Sequence, residues 1–269
     1  MKNKSTTILI TGAANGIGLA ITNYLIEKGV QVVAADYDKK SLEQFEGKQN
    51  IIPIFMDVTK VETIENVLSQ LTEKIDGLDC IINNAGIFVG GSLLDVDLEE
   101  LAHLMNINVL GYARVTKIMF PLLKKNKSKI INISSEVGRF SFPFNGPYSM
   151  SKFAVESFSD SLRRELMFLG IKVVVIQPGG IRTPLTEKTM KEYKKYRNRK
   201  YIFSDQINRL WPILEKQKFA DPIHVAKKVF KILKKNNPRS RYRIKNNQLR
   251  RILEFLPTSW ADFLIKHVM

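Results

Sequence analysis

Tyr148 and Lys152 stand four residues apart in the run Tyr148-Ser149-Met150-Ser151-Lys152, a spacing that puts both side chains on one face of a helix. A tyrosine ordinarily gives up its proton near pH ~10, and a neighbouring ammonium favours the phenolate. Bringing that value to about 7 takes roughly 4 kcal/mol of differential stabilisation, at ~1.4 kcal/mol per unit. A lysine acting with a second cation could supply it, and the phenol would then exchange a proton with an alcohol or carbonyl oxygen near neutral pH. The pair alone is common on solvated helices, so its meaning depends on what surrounds it.

A second group of residues suits phosphate. A short apolar run ends in Thr11-Gly12-Ala13-Ala14-Asn15-Gly16-Ile17-Gly18, and a helical pattern follows. Glycines let the chain turn sharply and approach a pyrophosphate, while a helix N-terminus offers unpaired N–H groups and the positive end of its dipole. The spacing is G-x-x-x-G-x-G rather than the general G-x-G-x-x-G dinucleotide fingerprint. The next apolar run ends in an acid, Asp36, placed to accept both ribose hydroxyls of an adenosine and to repel a 2′-phosphate. Its neighbours are Ala35, Tyr37 and Asp38, with Lys39 and Lys40 only beyond them, so NAD(H) is favoured over NADP(H).

These residues need a frame. Strand-like runs at Thr7–Thr11, Val30–Asp36, Ile51–Met56, Cys80–Asn83, Ile130–Ser134 and Val173–Gln177 alternate with helical segments at Ile17–Lys28, Val61–Lys74, Leu98–Leu123 and Ser149–Phe168. The strands are nearly continuous Ile/Val, the pattern of strands buried on both faces. The expected fold is therefore α/β, a Rossmann-like doubly wound parallel sheet with helices on both faces, in a single domain over 1–269. Within it, 1–184 form the nucleotide-binding and catalytic core. Beyond Thr183 a basic, aromatic stretch over 185–218 contains Tyr193, Tyr196, Tyr201, Phe203 and Trp211, and 219–269 read as C-terminal helices. One helix runs from about Asp221 to Lys235. A tail from Asn247 to Met269 repeats Leu249, Ile252, Leu253, Leu256, Trp260, Phe263 and Leu264, with Pro257 dividing it and Ser259 and Asp262 placed to cap its second half.

The ordered set Thr11–Gly18, Asp57-Val58, Asn83-Asn84-Ala85-Gly86, Asn108-Val109-Leu110-Gly111, Ile133-Ser134-Ser135, Tyr148–Lys152 and Pro178-Gly179…Thr183 resembles the short-chain dehydrogenase/reductase family over residues 6 to about 184. The stretches Asn84–Asp95 and Pro178–Pro184 are similar to its 17β-hydroxysteroid and retinol dehydrogenase-like branch. The resemblance implies hydride transfer between NAD(H) and an alcohol or carbonyl. It makes Tyr148 the acid/base and Ser135 the group that orients the substrate oxygen. Lys152 would bind the nicotinamide ribose and, with the cationic ring, lower the tyrosine; Asn108 would hold a relay water. Gly12, Asn15, Gly16, Ile17 and Gly18 would meet the pyrophosphate, Asp36 the adenosine ribose, and Asp57 and Val58 the adenine. Asn84, Ala85 and Gly86 would support the central strand and ribose, and Pro178, Gly179, Ile181 and Thr183 the carboxamide. The resemblance also implies a homo-oligomer, dimer or tetramer, and a substrate lid over 185–218. Glu136, directly after the serine, is the unusual neighbour and is expected to affect substrate polarity.

Composition bounds the rest. The single cysteine, Cys80, rules out an internal disulfide and a cysteine-based zinc site and suits a reducing compartment. His103, His224 and His267 are scattered, so no metal is expected. No run has the ~18 apolar residues of a membrane span, and Met1-Lys2-Asn3-Lys4 leads straight into a strand without a signal-peptide pattern. The expected location is cytoplasmic. Of the formal net charge of +16, nearly all lies in residues 185–269, with 22 basic and seven acidic side chains. Two readings stay open there: contact with an anionic membrane through Arg250, Arg251 and Lys266, or helices packing on the core. Nucleic-acid binding ranks lower for want of a recognition motif. The aromatics of 185–218, with Phe140, Phe142 and Phe144, either line a pocket for a lipophilic alcohol or ketone such as a steroid or retinoid, or merely pack the lid. The alternative of another class is a non-catalytic nucleotide sensor or anionic-surface binder on the same fold.

Overall fold

The computed structural model describes residues 6–124 and 127–268, the side chains of Leu249 and Val268 excepted. The Met1–Lys4 segment and the contribution of Leu249 to the tail lie outside the described residues. Six strands form where apolar runs predict them: β1 Thr7–Thr11, β2 Gln31–Asp36, β3 Ile51–Phe55, β4 Cys80–Asn83, β5 Lys129–Ile133 and β6 Lys172–Pro178. A seventh, β7 Arg241–Ile244, completes an all-parallel sheet in the order β3-β2-β1-β4-β5-β6-β7. Residues 219–269 are therefore not helices alone. The sequence reading passes over β7 because Arg241-Tyr242-Arg243-Ile244 has one fully apolar side chain. It is an edge strand, where charged residues belong.

The period of two within each strand divides the core. Ile8, Ile10, Val32, Ala34, Ile82 and Ile131 face helices α1 (Gly16–Glu27) and α9 (Ile223–Leu233), where Ile21, Leu25, Val225 and Val229 are buried. Leu9, Val33, Ile81 and Ile130 face the opposite way, onto α3 (Val61–Lys74) and α5 (Gly111–Met119) through Ile64, Val67, Val115 and Met119. Between α1 and α3 lies the short α2 (Lys39–Leu42), and α4 (Leu98–Met105) precedes α5.

The single helix expected over Leu98–Leu123 is instead broken. A π turn at Asn106–Leu110 separates α4 from α5, and a 3₁₀ turn holding Pro121 ends the run. The interruption has a tertiary cause. Asn108 is fully buried and its amide bonds both main-chain groups of Ile87, at 2.8 and 3.0 Å.

Helix α6 (Gly146–Leu166) carries Tyr148 and Lys152. A polar ladder crosses the core beneath it: Asn83 donates to Thr116 on α5 and to Asn132 on β5, and Asn132 donates to Ser159 on α6, at 2.8 to 3.0 Å. Farther on, Arg241 of β7 bonds Glu156 and Asp160 of the same helix, each at 2.9 Å. Beyond β6 come α7 (Pro184–Lys195) and α8 (Ser204–Glu215), then, after β7, α10 (Gln248–Leu253) and α11 (Thr258–Val268). Helix α11 starts directly after Pro257, so Ser259 lies inside it and is not its cap.

Candidate active site

The C-terminal ends of the central strands open onto a cleft of about 770 Å³, within the range of small-molecule and cofactor sites. At one end, β1 runs into the glycine turn. Gly12 and Gly16 have φ of +62° and +53°, the left-handed region that favours glycine. Gly18 is needed for a different reason: a Cβ there would lie 1.9 Å from the Gly12 carbonyl oxygen. The N-terminus of α1 has no acidic residue in its first turn and no side-chain cap from Asn15, so its N–H groups stay available to an anion. Asn84 ties the turn to β4 by donating to the carbonyls of Thr11 and Gly12, at 3.0 and 2.9 Å.

Asp36 ends β2 buried beside this turn. Its two oxygens accept from the amides of Ala14 (2.9 Å) and Asp38 (3.1 Å), which fixes the carboxylate and leaves further lone pairs toward the cleft. One Asp57 oxygen accepts from Thr59, both main chain and hydroxyl, so it braces the loop before α3. Thr183 caps α7 by accepting from the Thr186 amide, and its methyl group abuts Gly16.

At the other end, α6 presents Tyr148 and Lys152 to the cleft. The Ser135 hydroxyl accepts from the Val137 amide at 3.4 Å and lies near enough to the Tyr148 phenol to lower it, whereas the Ser134 hydroxyl is buried without a partner. Burial against Phe88 and the helix raises the phenol well above its ordinary value, and Ser135 lowers it only in part. Lys152 stands one turn farther along α6. Its ammonium donates to the Ile133 carbonyl at 3.0 Å and stands 5.5 Å from the Tyr148 ring centroid. Burial brings the lysine itself down to about 8, with Glu156 acting in the opposite sense.

Every candidate site residue lines the cleft except Gly18 and Asn108, which pack behind it. The Asn108 amide is committed to Ile87 and to Ser151 of α6, at 3.1 Å for the latter. Sequence reasoning missed three groups here. The Ile133 carbonyl also accepts from the buried Tyr112 at 3.0 Å, so one oxygen holds both Lys152 and the ring beneath it. Ser151 is the second. The third is Arg250, which lines the cleft and pairs with Glu136 rather than standing on an open basic surface. Of the aromatic residues, Tyr193 lines the cleft. Phe140, Phe142 and Phe144 do not, and Phe144 packs with Tyr196 and Ile207 beneath α7 and α8.

The short chain dehydrogenase family model matches residues 6–194. The chain belongs to this family. It is 39% identical over 180 residues to retinol dehydrogenase 7 of Mus musculus, which covers 65% of this chain and 57% of that protein. To 17-beta-hydroxysteroid dehydrogenase type 6 of Homo sapiens it is 35% identical over 187 residues, 68% of this chain and 59% of that one. The matches thus span less than two thirds of the length of either relative. Among solved structures, a short-chain dehydrogenase from Streptomyces avermitilis is similar with a TM-score of 0.82 at 24% identity, covering 98% of this chain and 96% of that one. The retinol and hydroxysteroid dehydrogenase likeness agrees with the branch read from the motifs.

Proposed function

We propose that this short-chain dehydrogenase interconverts an alcohol and a carbonyl on a lipophilic substrate, with a nicotinamide dinucleotide as the redox partner. One observation carries the reading: the Ser135 hydroxyl, the Tyr148 phenol and the Lys152 ammonium meet in the same cleft as an uncapped, glycine-built helix N-terminus. A non-catalytic sensor would need only the second half of that arrangement.

The dinucleotide supplies the hydride donor or acceptor. Ser135 orients the substrate oxygen, and Tyr148 gives it a proton in reduction or takes one in oxidation. Lys152 would bind the nicotinamide ribose, with Asn108 bracing α6 behind it through Ser151. Phe88, Tyr193, Leu214 and Phe219 give the cleft an apolar wall suited to a steroid, a retinoid or a similar lipophile. Helices α7 and α8 act as the lid. Turnover of a panel of hydrophobic alcohols and ketones with each dinucleotide tests the reading, and no activity across the panel would overturn it.

Asp36 makes NAD(H) the preferred dinucleotide. Asp36→Asn keeps an acceptor for the Ala14 amide while removing the charge that repels a 2′-phosphate. The ratio of kcat/KM for NAD(H) over NADP(H) should then fall by about ten- to a hundred-fold, the worth of one or two charge-assisted hydrogen bonds. An unchanged ratio counts against the assignment.

Lys152 makes binding pH-dependent. Below about pH 8 its ammonium is already present. Above that value the dinucleotide must draw a proton onto the lysine, so affinity falls as pH rises, toward about tenfold per pH unit. Titrating NADH into the protein from neutral to alkaline pH should show this slope, and Lys152→Met should flatten it.

No helix among the described residues is long and apolar enough to cross a membrane. Exposed Ile252, Phe255, Trp260 and Phe263 beside Arg251 and Lys266 support peripheral contact of the tail with an anionic membrane surface. Exposed Met150 and Phe153 on α6 support assembly as a homo-oligomer.

A further inference from the structure

The C-terminal segment is fastened to the turn that carries the catalytic serine. Glu136, the residue after Ser135, pairs with Arg250 of α10 through one carboxylate oxygen, and its other oxygen accepts from the Asn247 amide at 3.0 Å. Glu254 is held likewise, by Arg139 at 3.1 Å and Arg243 at 2.6 Å. The Arg250 guanidinium lies over the Phe142 ring, 4.9 Å from its centroid. Its charge is felt at the Tyr193 phenol, which burial pushes up to about 12 and Arg250 partly restrains. A fixed guanidinium therefore lines the same cleft as the apolar Phe88, Tyr193, Leu214 and Phe219, in the part of the chain beyond the family-model match.

The pair is unequal. Both Glu136 oxygens are engaged, whereas Arg250 places one nitrogen on Glu136 and retains donors on its other two. Around it, Arg139, Arg243 and Arg251 outnumber the remaining acid, Glu254. The group that fits such a corner accepts hydrogen bonds and is negative, and a carboxylate matches the planar guanidinium fork. We infer that Arg250 is a specificity-determining residue that binds a carboxylate on the substrate, remote from the reacting carbon. The substrate class is thereby narrowed to hydroxy or keto acids with a hydrophobic body.

This inference rests on the cleft being the substrate site proposed above, so its test reads binding as well as turnover. Calorimetric titration of the enzyme–NADH complex with a medium-chain fatty acid and with the alcohol of equal length compares the two head groups without catalysis. The acid should bind about tenfold or more tightly than the alcohol. Arg250→Gln should abolish that advantage and leave alcohol binding unchanged, and Arg250→Lys should keep part of it. With a long-chain keto acid and its methyl ester as substrates, Arg250→Gln should raise KM for the acid alone and spare kcat. Equal binding of acid and alcohol by the unaltered protein, or an equal loss of both in Arg250→Gln, overturns the inference and leaves Arg250 as a structural tie. Selective acid binding without turnover of any alcohol or ketone would instead sustain the anion site and refute the proposed reaction.

Discussion

Tyr148→Phe is expected to lower turnover by about a thousand-fold while leaving the affinity for NADH nearly unchanged. The substitution removes one oxygen and keeps the ring that packs 5.1 Å from Phe88, so the wall of the cleft survives. The lost group is the phenol beside Ser135 that is proposed to give the substrate oxygen its proton. General acid–base groups contribute about 10²–10⁴-fold to rate, which sets the size of the effect. Single-turnover kinetics with NADH and a hydrophobic ketone, alongside fluorescence titration of NADH, separates chemistry from binding. Substantial retained turnover would refute the role of the phenol. Ser135→Ala should lie between the two proteins, because it removes an orienting bond and leaves the proton in place.

The second large effect concerns Gly18. In an ordinary helix a change of Gly to Ala stabilises by about 1 kcal/mol. At Gly18 the sign reverses, because the new methyl group would lie 1.9 Å from the Gly12 carbonyl oxygen and 2.6 Å from the Asn84 amide nitrogen. Neither atom can yield cheaply: the first belongs to the turn, and the second already bonds Thr11 and Gly12. Relief requires α1 to move away from β1, which widens the turn proposed to hold the pyrophosphate. Gly18→Ala should therefore cost about 1–3 kcal/mol in stability and weaken NADH binding by more than about tenfold. Thermal unfolding and NADH titration measure the two losses separately.

The layout of the sheet was readable because strands buried on both faces are written as unbroken Ile/Val runs. β1 and β4 match their expected ranges, β2 and β3 differ by a residue at one end, and β5 and β6 by a residue at each end. β7 escaped because an edge strand needs no such run. The break between α4 and α5 escaped because its cause, the grip of Asn108 on Ile87, joins residues 21 positions apart. The same contrast divides the site. Its cleft-lining candidates sit at strand ends or on a helix face, where local spacing places them. Arg250 reaches Glu136 across 114 positions, and Tyr112 meets Lys152 through the shared Ile133 carbonyl and a ring contact at 5.7 Å, so neither leaves a local pattern.

The amide and hydroxyl ladder from Thr116 through Asn83 and Asn132 to Ser159 has a consequence for where α6 can rest. Greasy contacts alone tolerate sliding of a helix along a sheet, since one isoleucine replaces another at little cost. Directional bonds do not. A displacement of α6 by a single 5.4 Å turn would strand Asn132 in a dry interior. Ser159 lies eleven positions beyond Tyr148 on the same rod, so the anchorage of the one sets the altitude of the other above the glycine turn.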